Sequence, residues 1–260
     1  MSTLGREPAR RAINAADIPD NSINASKIID GTISAADVSS DLVTLTGSQT
    51  LTNKTLTDPI GTGGLKSIQV FTSSGTWTKP AGITTIKVYV TGGGGGGGSH
   101  NSDDAQGGGG AGGTSIKIID VSSVSTVAVT IGGGGTATSG NDPDGGSSGG
   151  TSSFGSYCTG VGGVHVPTWG KGGRGGTSTG GDINLFGSDG HTGNIDGQSN
   201  EESGGNGGDS YWGGAGTGGT HWGVREAPQG WGCGGSGSHY STNNAGTDGK
   251  SGVVIVEEMR

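Results

Sequence analysis

The sequence is poor in the large side chains from which an ordinary protein core is built. Only 27% of its 260 residues are hydrophobic and 5% are aromatic. No apolar run reaches the length of about 18 residues that a membrane-spanning helix needs. A conventional core can therefore serve only part of the chain, and the remainder must be held together in another way or stay loose.

Cysteine is also scarce, and no apolar leader is visible at the N-terminus. Cys158 and Cys233 lie far apart, so a disulfide is possible. Because the chain lacks the apolar run of a signal peptide, we expect synthesis in a cytosol and two buried thiols.

Basic residues are too few for a nucleic-acid-binding protein. Lysine and arginine number 14 against 22 aspartates and glutamates, which gives a net charge of −8. Phosphate binding needs concentrated positive charge, so the composition argues against nucleic acid as a partner.

Motifs for catalysis, cofactors and metals are weak or missing. Gly170–Gly175 fits the GxGxxG pattern, but neither the strand nor the helix that a dinucleotide site requires is visible around it. The five histidines have no metal-ligand spacing, and no GxSxG nucleophile elbow is present. We therefore expect no enzyme activity, no cofactor and no metal site.

Glycine is what the sequence has in abundance, with 63 residues against 7 prolines. Short strand-like segments alternate with the glycine runs, as in Val70 to Gly98, where two strand candidates lead into seven consecutive glycines. Period-two patterns and turn residues predict strands at 67–72, 75–79, 84–91, 114–121, 124–131, 152–157 and 252–258. The last of these is apolar on both faces, which predicts a central strand. The C-terminus must then return to the β framework, and we therefore expect order between Gly132 and Gly249.

The later glycines recur locally every third residue, which suggests how such a chain could be ordered. This spacing matches the three residues per turn of the polyproline-II helix, which has no internal hydrogen bonds. Buried amides would then have to pair with neighbouring segments of the same kind. The spacing occurs in three triads: Gly170, Gly173 and Gly176; Gly187, Gly190 and Gly193; Gly213, Gly216 and Gly219.

The N-terminal region has a different pattern, an apolar residue at every fifth position. Neither a helix nor an ordinary strand has that period, and one such chain could not bury these residues by itself. We expect residues 13–43 to form a trimeric stalk in which symmetry mates bury them. A pentapeptide-type β-helix is the main rival, and a helix over 35–43 is possible. The repeated residues are Ile13, Ile18, Ile23, Ile28, Ile33 and Val38.

Residues 1–12 and 44–64 flank the stalk. Residues 1–12, with Arg6, Arg10 and Arg11, are either a solvated tail or a docking peptide that holds the stalk at one end. Residues 44–64 are expected to form a neck and linker, and residues 65–260 the C-terminal domain.

The C-terminal region resembles the glycine-rich domain of bacteriophage tail-fibre and adhesin proteins. The resemblance rests on FTSSGTWTKPAGITTIKVYVTGGGGGGG, IIDVSSVSTVAVTIGGGG, TSSFGSYC and GVVIVEE, in that order, and SQTLTNKTLTDP at Ser48 to Pro59 resembles a segment that precedes such tips. It implies an all-β trimeric fibre in which a repeat stalk carries a β-sandwich-like domain extended by polyglycine-II-type helices.

The resemblance also implies a function in host recognition. We expect a virion tail-fibre adhesin that is assembled in the host cytoplasm as a homotrimer. Its partners would be tail or baseplate proteins and a bacterial surface polysaccharide or outer-membrane protein. The alternatives are a capsular polysaccharide depolymerase, for which Asp182, Asp189, Asp196, Glu201, Glu202 and Asp209 are conceivable carboxylates, and a purely structural fibre component.

Aromatic and histidine residues interrupt the later glycine runs and are the candidate receptor contacts. Aromatic side chains supply wide contact area at low entropy cost, and irregular loops on a rigid scaffold are where recognition usually lies. The rival interpretation is that they pack over the glycine segments as a hydrophobic skin. The candidates are Trp169, His191, Tyr211, Trp212, His221, Trp222, Trp231, His239 and Tyr240.

Overall fold

The computed structural model describes residues 16, 18–19, 64–99, 105–137, 146–166, 170–194, 203–220, 225–239 and 245–260. By its internal contacts the chain divides into two compact units, Met1–Pro59 and Ile60–Arg260. Of the predicted stalk, residues 13–43, the structure describes Ala16, Ile18 and Pro19. Ile18 belongs to the five-residue repeat and is 44% exposed. The predicted attachment peptide, the rest of the stalk and all of the predicted neck except Gly64 lie outside the described residues.

The second unit is all-β, as the sequence predicted, and it contains two five-stranded antiparallel sheets. The first sheet has the order β1-β10-β3-β4-β9 and the second has the order β2-β5-β6-β7-β8. The strands are β1 (Leu65–Phe71), β2 (Gly75–Thr78), β3 (Thr85–Thr91), β4 (Thr114–Asp120), β5 (Thr126–Thr130), β6 (Ser152–Phe154), β7 (Cys158–Gly160), β8 (Ser178–Thr179), β9 (Ile183–Leu185) and β10 (Val253–Met259).

The two sheets pack face to face around one hydrophobic core. In β3 every second residue points inward, so that Ile86, Val88 and Val90 are fully buried. The second sheet contributes Trp77 and Phe154, whose ring centroids lie 5.9 Å apart. The alternating pattern of the sequence therefore specifies a sandwich with one shared core.

The C-terminal strand β10 lies between β1 and β3, as its two-faced apolar pattern predicted. Glu258 is also turned toward the core and is only 1% exposed. Its carboxylate accepts hydrogen bonds from Trp77 Nε1 at 2.8 Å, from Gln69 Nε2 at 2.7 Å and from Ser67 Oγ. A buried carboxylate needs such donors, and here they tie β1 and β2 to the last strand.

Beyond the strands, the chain continues in segments rich in glycine that hydrogen-bond sideways to one another. We call these the glycine segments, and together the glycine array. They comprise residues 92–98, 106–113, 132–136, 147–150, 161–164, 170–176, 187–193, 204–208, 216–219, 232–238 and 247–252.

Most glycine segments keep the pairing register of the strands that they extend. Thr91 of β3 pairs with Thr114 of β4. The same register then continues through three backbone hydrogen bonds, Gly92 to Gly113, Gly95 to Gly110 and Gly98 to Gly107. The pairing of β10 with β3 extends in the same way, through Gly94 to Lys250 and Gly97 to Thr247.

The segment 92–98 shows the bonding rule of the array, a period of three residues. Its amides at 92, 95 and 98 donate to segment 106–113, those at 93 and 96 donate to segment 147–150, and those at 94 and 97 donate to segment 247–252. Successive amides therefore point in three directions. A β-strand, whose amides alternate between two sides, reaches only two neighbours.

Segment 106–113 is bonded to neighbours on every side. Its amides donate to segments 161–164, 187–193 and 232–238 at 2.8–3.0 Å, and its carbonyls accept from segments 92–98, 170–176 and 204–208. Segment 106–113 leads into β4 of the first sheet, whereas 161–164 follows β7 of the second sheet. In the sandwich, side chains hold the two sheets about 10 Å apart. In the array, the glycine segments that extend these sheets are hydrogen-bonded directly to each other.

Glycine is required here because neighbouring backbones occupy the space of a side chain. A Cβ on Gly109 would lie 2.2 Å from the carbonyl oxygen of Gly95, and a Cβ on Gly95 would lie 2.3 Å from that of Val164. Real Cβ atoms do not come so close, so any larger residue would force the segments apart.

Two of the three glycine triads that stood out in the sequence bond to each other, and the third lies only partly in the array. The triad of Gly170, Gly173 and Gly176 accepts hydrogen bonds from the triad of Gly193, Gly190 and Gly187, in that order. In the third triad, Gly216 and Gly219 bond sideways, but Gly213 has a φ of +92° and belongs to a turn.

Strands β7, β8 and β9 were not among the sequence predictions, and β6 ends at Phe154, before the predicted Tyr157. These strands have only two or three residues, too few for a period-two pattern to stand out.

We predict effects of very different size for alanine at two glycines of the array. Gly95→Ala should destabilise the protein by about 3 kcal/mol or more, because its methyl group would meet a backbone held by hydrogen bonds. Gly133→Ala, where a Cβ has no atom within 4 Å, should change the stability by less than about 1 kcal/mol.

Denaturant unfolding at one fixed chain concentration measures both variants. Equal stability of Gly95→Ala and Gly133→Ala would contradict the close approach of the segments.

Candidate functional site

The glycine segments have one end beside the strands and another end away from them. At the end away from the strands, the Gly98 amide donates to Gly107, the Gln106 amide to Ser238 and the Asn194 amide to Ser203. The described segment ends therefore lie beside one another in bonded pairs. We call this end, as formed by the described residues, the distal end of the array.

The predicted receptor contacts separate into three groups. His191 is exposed and lies near the distal end, whereas His239 borders the same end but is only 2% exposed. Tyr211, Trp212 and Trp231 lie at the other end of the array, beside the sheets. Trp169, His221, Trp222 and Tyr240 lie outside the described residues, so their role stays a prediction.

Tyr211, Trp212 and Trp231 form one aromatic cluster with Tyr89 of β3, which we call the junction cluster. The Trp212 ring lies 4.9 Å from Tyr211, 5.7 Å from Tyr89 and 6.1 Å from Trp231, measured between centroids and with edge-on geometry. Trp212 Nε1 donates to Thr91 Oγ1 at 2.9 Å, at the last residue of β3. Such edge-on contacts add stability beyond the apolar area they bury.

The junction cluster exists because two glycine segments end there without a strand to extend. Segments 204–208 and 232–238 are joined to turns in which Gly213 and Gly232 have positive φ. Ser210 Oγ donates to the Trp231 carbonyl at 2.6 Å and accepts from the Trp212 amide at 3.1 Å. These bonds lay the aromatic rings against the outer face of the first sheet.

Sequence reasoning missed Tyr89 as a member of this cluster. The alternation of β3 placed Tyr89 on the face opposite the core, together with Lys87, whose Nζ lies 4.9 Å from the Tyr89 ring. Its partners are more than 120 residues away in the chain. No local pattern indicates such a contact.

Three of the carboxylates that a depolymerase would need are described, and each accepts a hydrogen bond from a backbone amide. Asp182 accepts from the Ile118 amide at 2.9 Å, Asp189 from the Gly175 amide at 2.7 Å and Asp209 from the Ala215 amide at 2.8 Å. Asp182 follows β8 at the sheet end of the molecule, whereas Asp209 adjoins the junction cluster. Asp196, Glu201 and Glu202 lie outside the described residues.

The described part of the chain contains no cluster of three or more histidine, cysteine, aspartate or glutamate side chains that could hold a metal ion. It also contains no helix long and apolar enough to cross a membrane.

Both cysteines are free and buried in the structure, as expected from the sequence. Burial raises the pKa of the Cys158 thiol to about 11 and also raises the pKa of the Cys233 thiol. Because the thiolate is the reactive form, both side chains are poorly reactive in the folded protein.

One family model matches the chain over residues 69–258, and its description is a glycine-rich domain. The match begins in β1 and ends in β10, so it spans both sheets and the whole glycine array. No curated protein matches the chain.

We predict that Trp212 stabilises the junction rather than a ligand complex. Trp212→Phe should cost about 1 kcal/mol, because it removes one hydrogen bond from a threonine that keeps its bond to Thr114. Trp212→Ala should cost about 2–3 kcal/mol through the lost ring contacts.

Thermal unfolding followed by tryptophan fluorescence measures this series. A stability of Trp212→Ala equal to that of the unmodified chain would contradict the assignment of Trp212 to a packed junction.

Proposed function

The chain belongs to the family of glycine-rich domains, and from that premise we propose that it is a phage tail-fibre adhesin that binds a receptor on the bacterial surface. In this proposal residues 65–260 form the receptor-binding tip. The N-terminal residues assemble three chains and attach them to a tail or baseplate, so the protein belongs to the virion and is not an enzyme.

The observation that carries the proposal is the geometry of the distal end. The described segments that meet there are bonded sideways to their neighbours, as the bonds from Gly98 to Gly107 and from Gln106 to Ser238 show. A scaffold of this kind can hold variable loops at fixed positions, which is the arrangement that recognition sites favour. The glycine array then serves as a spacer between the sandwich and the receptor.

We propose further that the glycine segments are polyglycine-II-type helices. The bonding period of three residues in segment 92–98 and the six bonded neighbours of segment 106–113 support this assignment. A helix with three residues per turn directs successive amides outward at about 120° intervals. Three successive amides therefore need partners on three different neighbours, and the amides of segment 92–98 are bonded in this way.

Weak contacts are sufficient for such an adhesin if several tips act together. Three tips on a fibre convert later binding events into intramolecular ones, and this can raise the overall affinity by roughly 10² to 10⁴. The trimer predicted from the five-residue repeat supplies this multivalency.

A capsular polysaccharide depolymerase is the alternative from another class. It would use two carboxyl groups roughly 5 to 10 Å apart across a groove. The described aspartates instead accept hydrogen bonds from backbone amides of three different segments. The separation of these aspartates favours the adhesin over the depolymerase. A purely structural fibre, the other alternative, differs from the adhesin only in having no ligand.

We predict that distal aromatic residues govern binding to cells. In the full chain, Trp222→Ala combined with Tyr240→Ala should weaken binding to susceptible bacteria by about tenfold or more, as expected when interface anchors are lost. Trp212→Phe is the control, because it changes an aromatic residue at the junction and should leave cell binding unchanged.

Binding of fluorescently labelled full chain to a panel of bacterial strains measures this effect. Equal binding by the double variant and the unmodified chain would contradict the assignment of the distal loops. Release of new reducing ends from host polysaccharide would instead favour the depolymerase.

A further inference from the structure

The outer face of the first sheet has a charged centre between two apolar flanks. Strand register places Ile68, Glu257, Lys87 and Ile118 side by side across four strands. Ile68 and Ile118 are 53% and 58% exposed, whereas Glu257 and Lys87 are half-buried. Lysine and glutamate are depleted from the centres of protein–protein interfaces. The centre of this face therefore disfavours a protein partner.

Two tyrosines lie beside the charged centre. Tyr89 follows Lys87 by two residues on the same face of β3, and Tyr211 approaches it from a turn at the end of segment 204–208. The two rings lie 6.1 Å apart between centroids, with their planes inclined by 32°. Tyr211 is 50% exposed. Part of an aromatic ring is thus open to solvent next to a lysine and a glutamate.

Contacts join these four side chains into one group, which we call the tyrosine–charge patch. The Tyr89 hydroxyl donates to Glu257 Oε1 at 3.4 Å. Lys87 Nζ lies 4.9 Å from the Tyr89 ring. Tyr89, followed by Glu257 and Tyr211, raises the pKa of Lys87 above its ordinary value, so its ammonium group is a hydrogen-bond donor at neutral pH.

The tyrosine–charge patch is held in place by the fold. Lys87 and Glu257 are register partners on the adjacent central strands β3 and β10. Tyr211 packs edge-on against Trp212, whose Nε1 donates to Thr91 at the end of β3. A ligand at the patch would therefore meet side chains that are already positioned, which lowers the entropy cost of binding.

The chemistry of the patch matches that of an uncharged sugar. Two neighbouring sugar hydroxyls can accept from Lys87 and donate to Glu257 at the same time, and hydrogen bonds to charged groups are the strong ones. The C–H face of a sugar ring is apolar and can lie on a tyrosine ring, which offers a rigid contact area at low entropy cost. Because the two charges of the patch cancel, it favours a neutral ligand over an ion.

We propose that the tyrosine–charge patch binds a neutral sugar, with the sugar ring on Tyr211 and its hydroxyls between Lys87 and Glu257. This site lies on the side of the sandwich, at the opposite end of the glycine array from the distal loops. It depends neither on those loops nor on the number of chains in the fibre.

Saturation-transfer NMR on the full chain tests the inference. The probes are the methyl glycosides of glucose, galactose, mannose and N-acetylglucosamine, and methyl glucuronide is the charged comparison. Lys87→Met and Glu257→Gln change half-buried positions of the patch, and Tyr211→Ala removes the ring. Phe186→Ala is the matched control, because it removes an aromatic side chain that is 76% exposed but follows the edge strand β9. The thermal unfolding midpoint of each variant is measured alongside.

We expect at least one neutral glycoside to bind. Its dissociation constant should rise about tenfold or more in Lys87→Met and Glu257→Gln, because each loses a charge-assisted hydrogen bond. A similar rise is expected in Tyr211→Ala, whereas Phe186→Ala should bind as the unmodified chain does. Lys87→Met and Glu257→Gln keep the test decisive even if Tyr211→Ala unfolds.

Three results would overturn the inference: no binding of any neutral glycoside, undiminished binding in Lys87→Met and Glu257→Gln, or tighter binding of the glucuronide than of the neutral sugars. Each of them leaves the adhesin proposal standing, since that proposal is tested separately by the binding of Trp222→Ala combined with Tyr240→Ala to cells.

Discussion

Sideways hydrogen bonds between backbones without side chains are the interaction on which this fold depends. Such a bond contributes about 1 kcal/mol net. Ordering a glycine costs about 0.5–1 kcal/mol more than ordering an alanine. The stabilisation from one hydrogen bond is thus about as large as the extra cost of ordering one glycine. An unpaired amide leaves that cost without an offset, so the array is stable only where nearly every amide has a partner. Segment 106–113, which bonds to six neighbouring segments, meets that requirement.

The sandwich and the array depend on each other through shared register. Strands β3, β4 and β10 are fixed by a core that contains Trp77 and Phe154, and the glycine segments that extend them start already aligned. Without the core, forming the array would require closing many loops of the chain with no side-chain contacts to offset the loss of entropy. The core thus sets the positions of the first hydrogen bonds, and the array transmits this order to its distal end, where the proposed receptor loops begin.

Local patterns predicted the longer strands but not the neighbours of each segment. Alternation over 84–91 and the two-faced apolar run at 253–256 were sufficient to identify β3 and β10. Glycine spacing indicated sideways bonding, yet Gly109 could not be assigned to Gly235 and Gly208, because glycines carry no side chain that distinguishes one neighbour from another. The same limit applies to Tyr89 and Trp212, whose contact joins distant parts of the sequence. The predicted receptor contacts have more than one environment. Tyr211, Trp212 and Trp231 pack in the junction cluster on the first sheet, whereas His191 is exposed near the distal end.

Amide hydrogen exchange over segments 92–98, 106–113 and 232–238 tests the central claim most directly. Hydrogen-bonded amides exchange only through opening. The account therefore predicts slow exchange in all three segments, comparable to that of β3 and β10, although they contain hardly any large side chains. Exchange at the rate of an unstructured peptide in segment 106–113, with β3 and β10 protected, would mean that the glycine-rich chain is a flexible tether and would contradict the account.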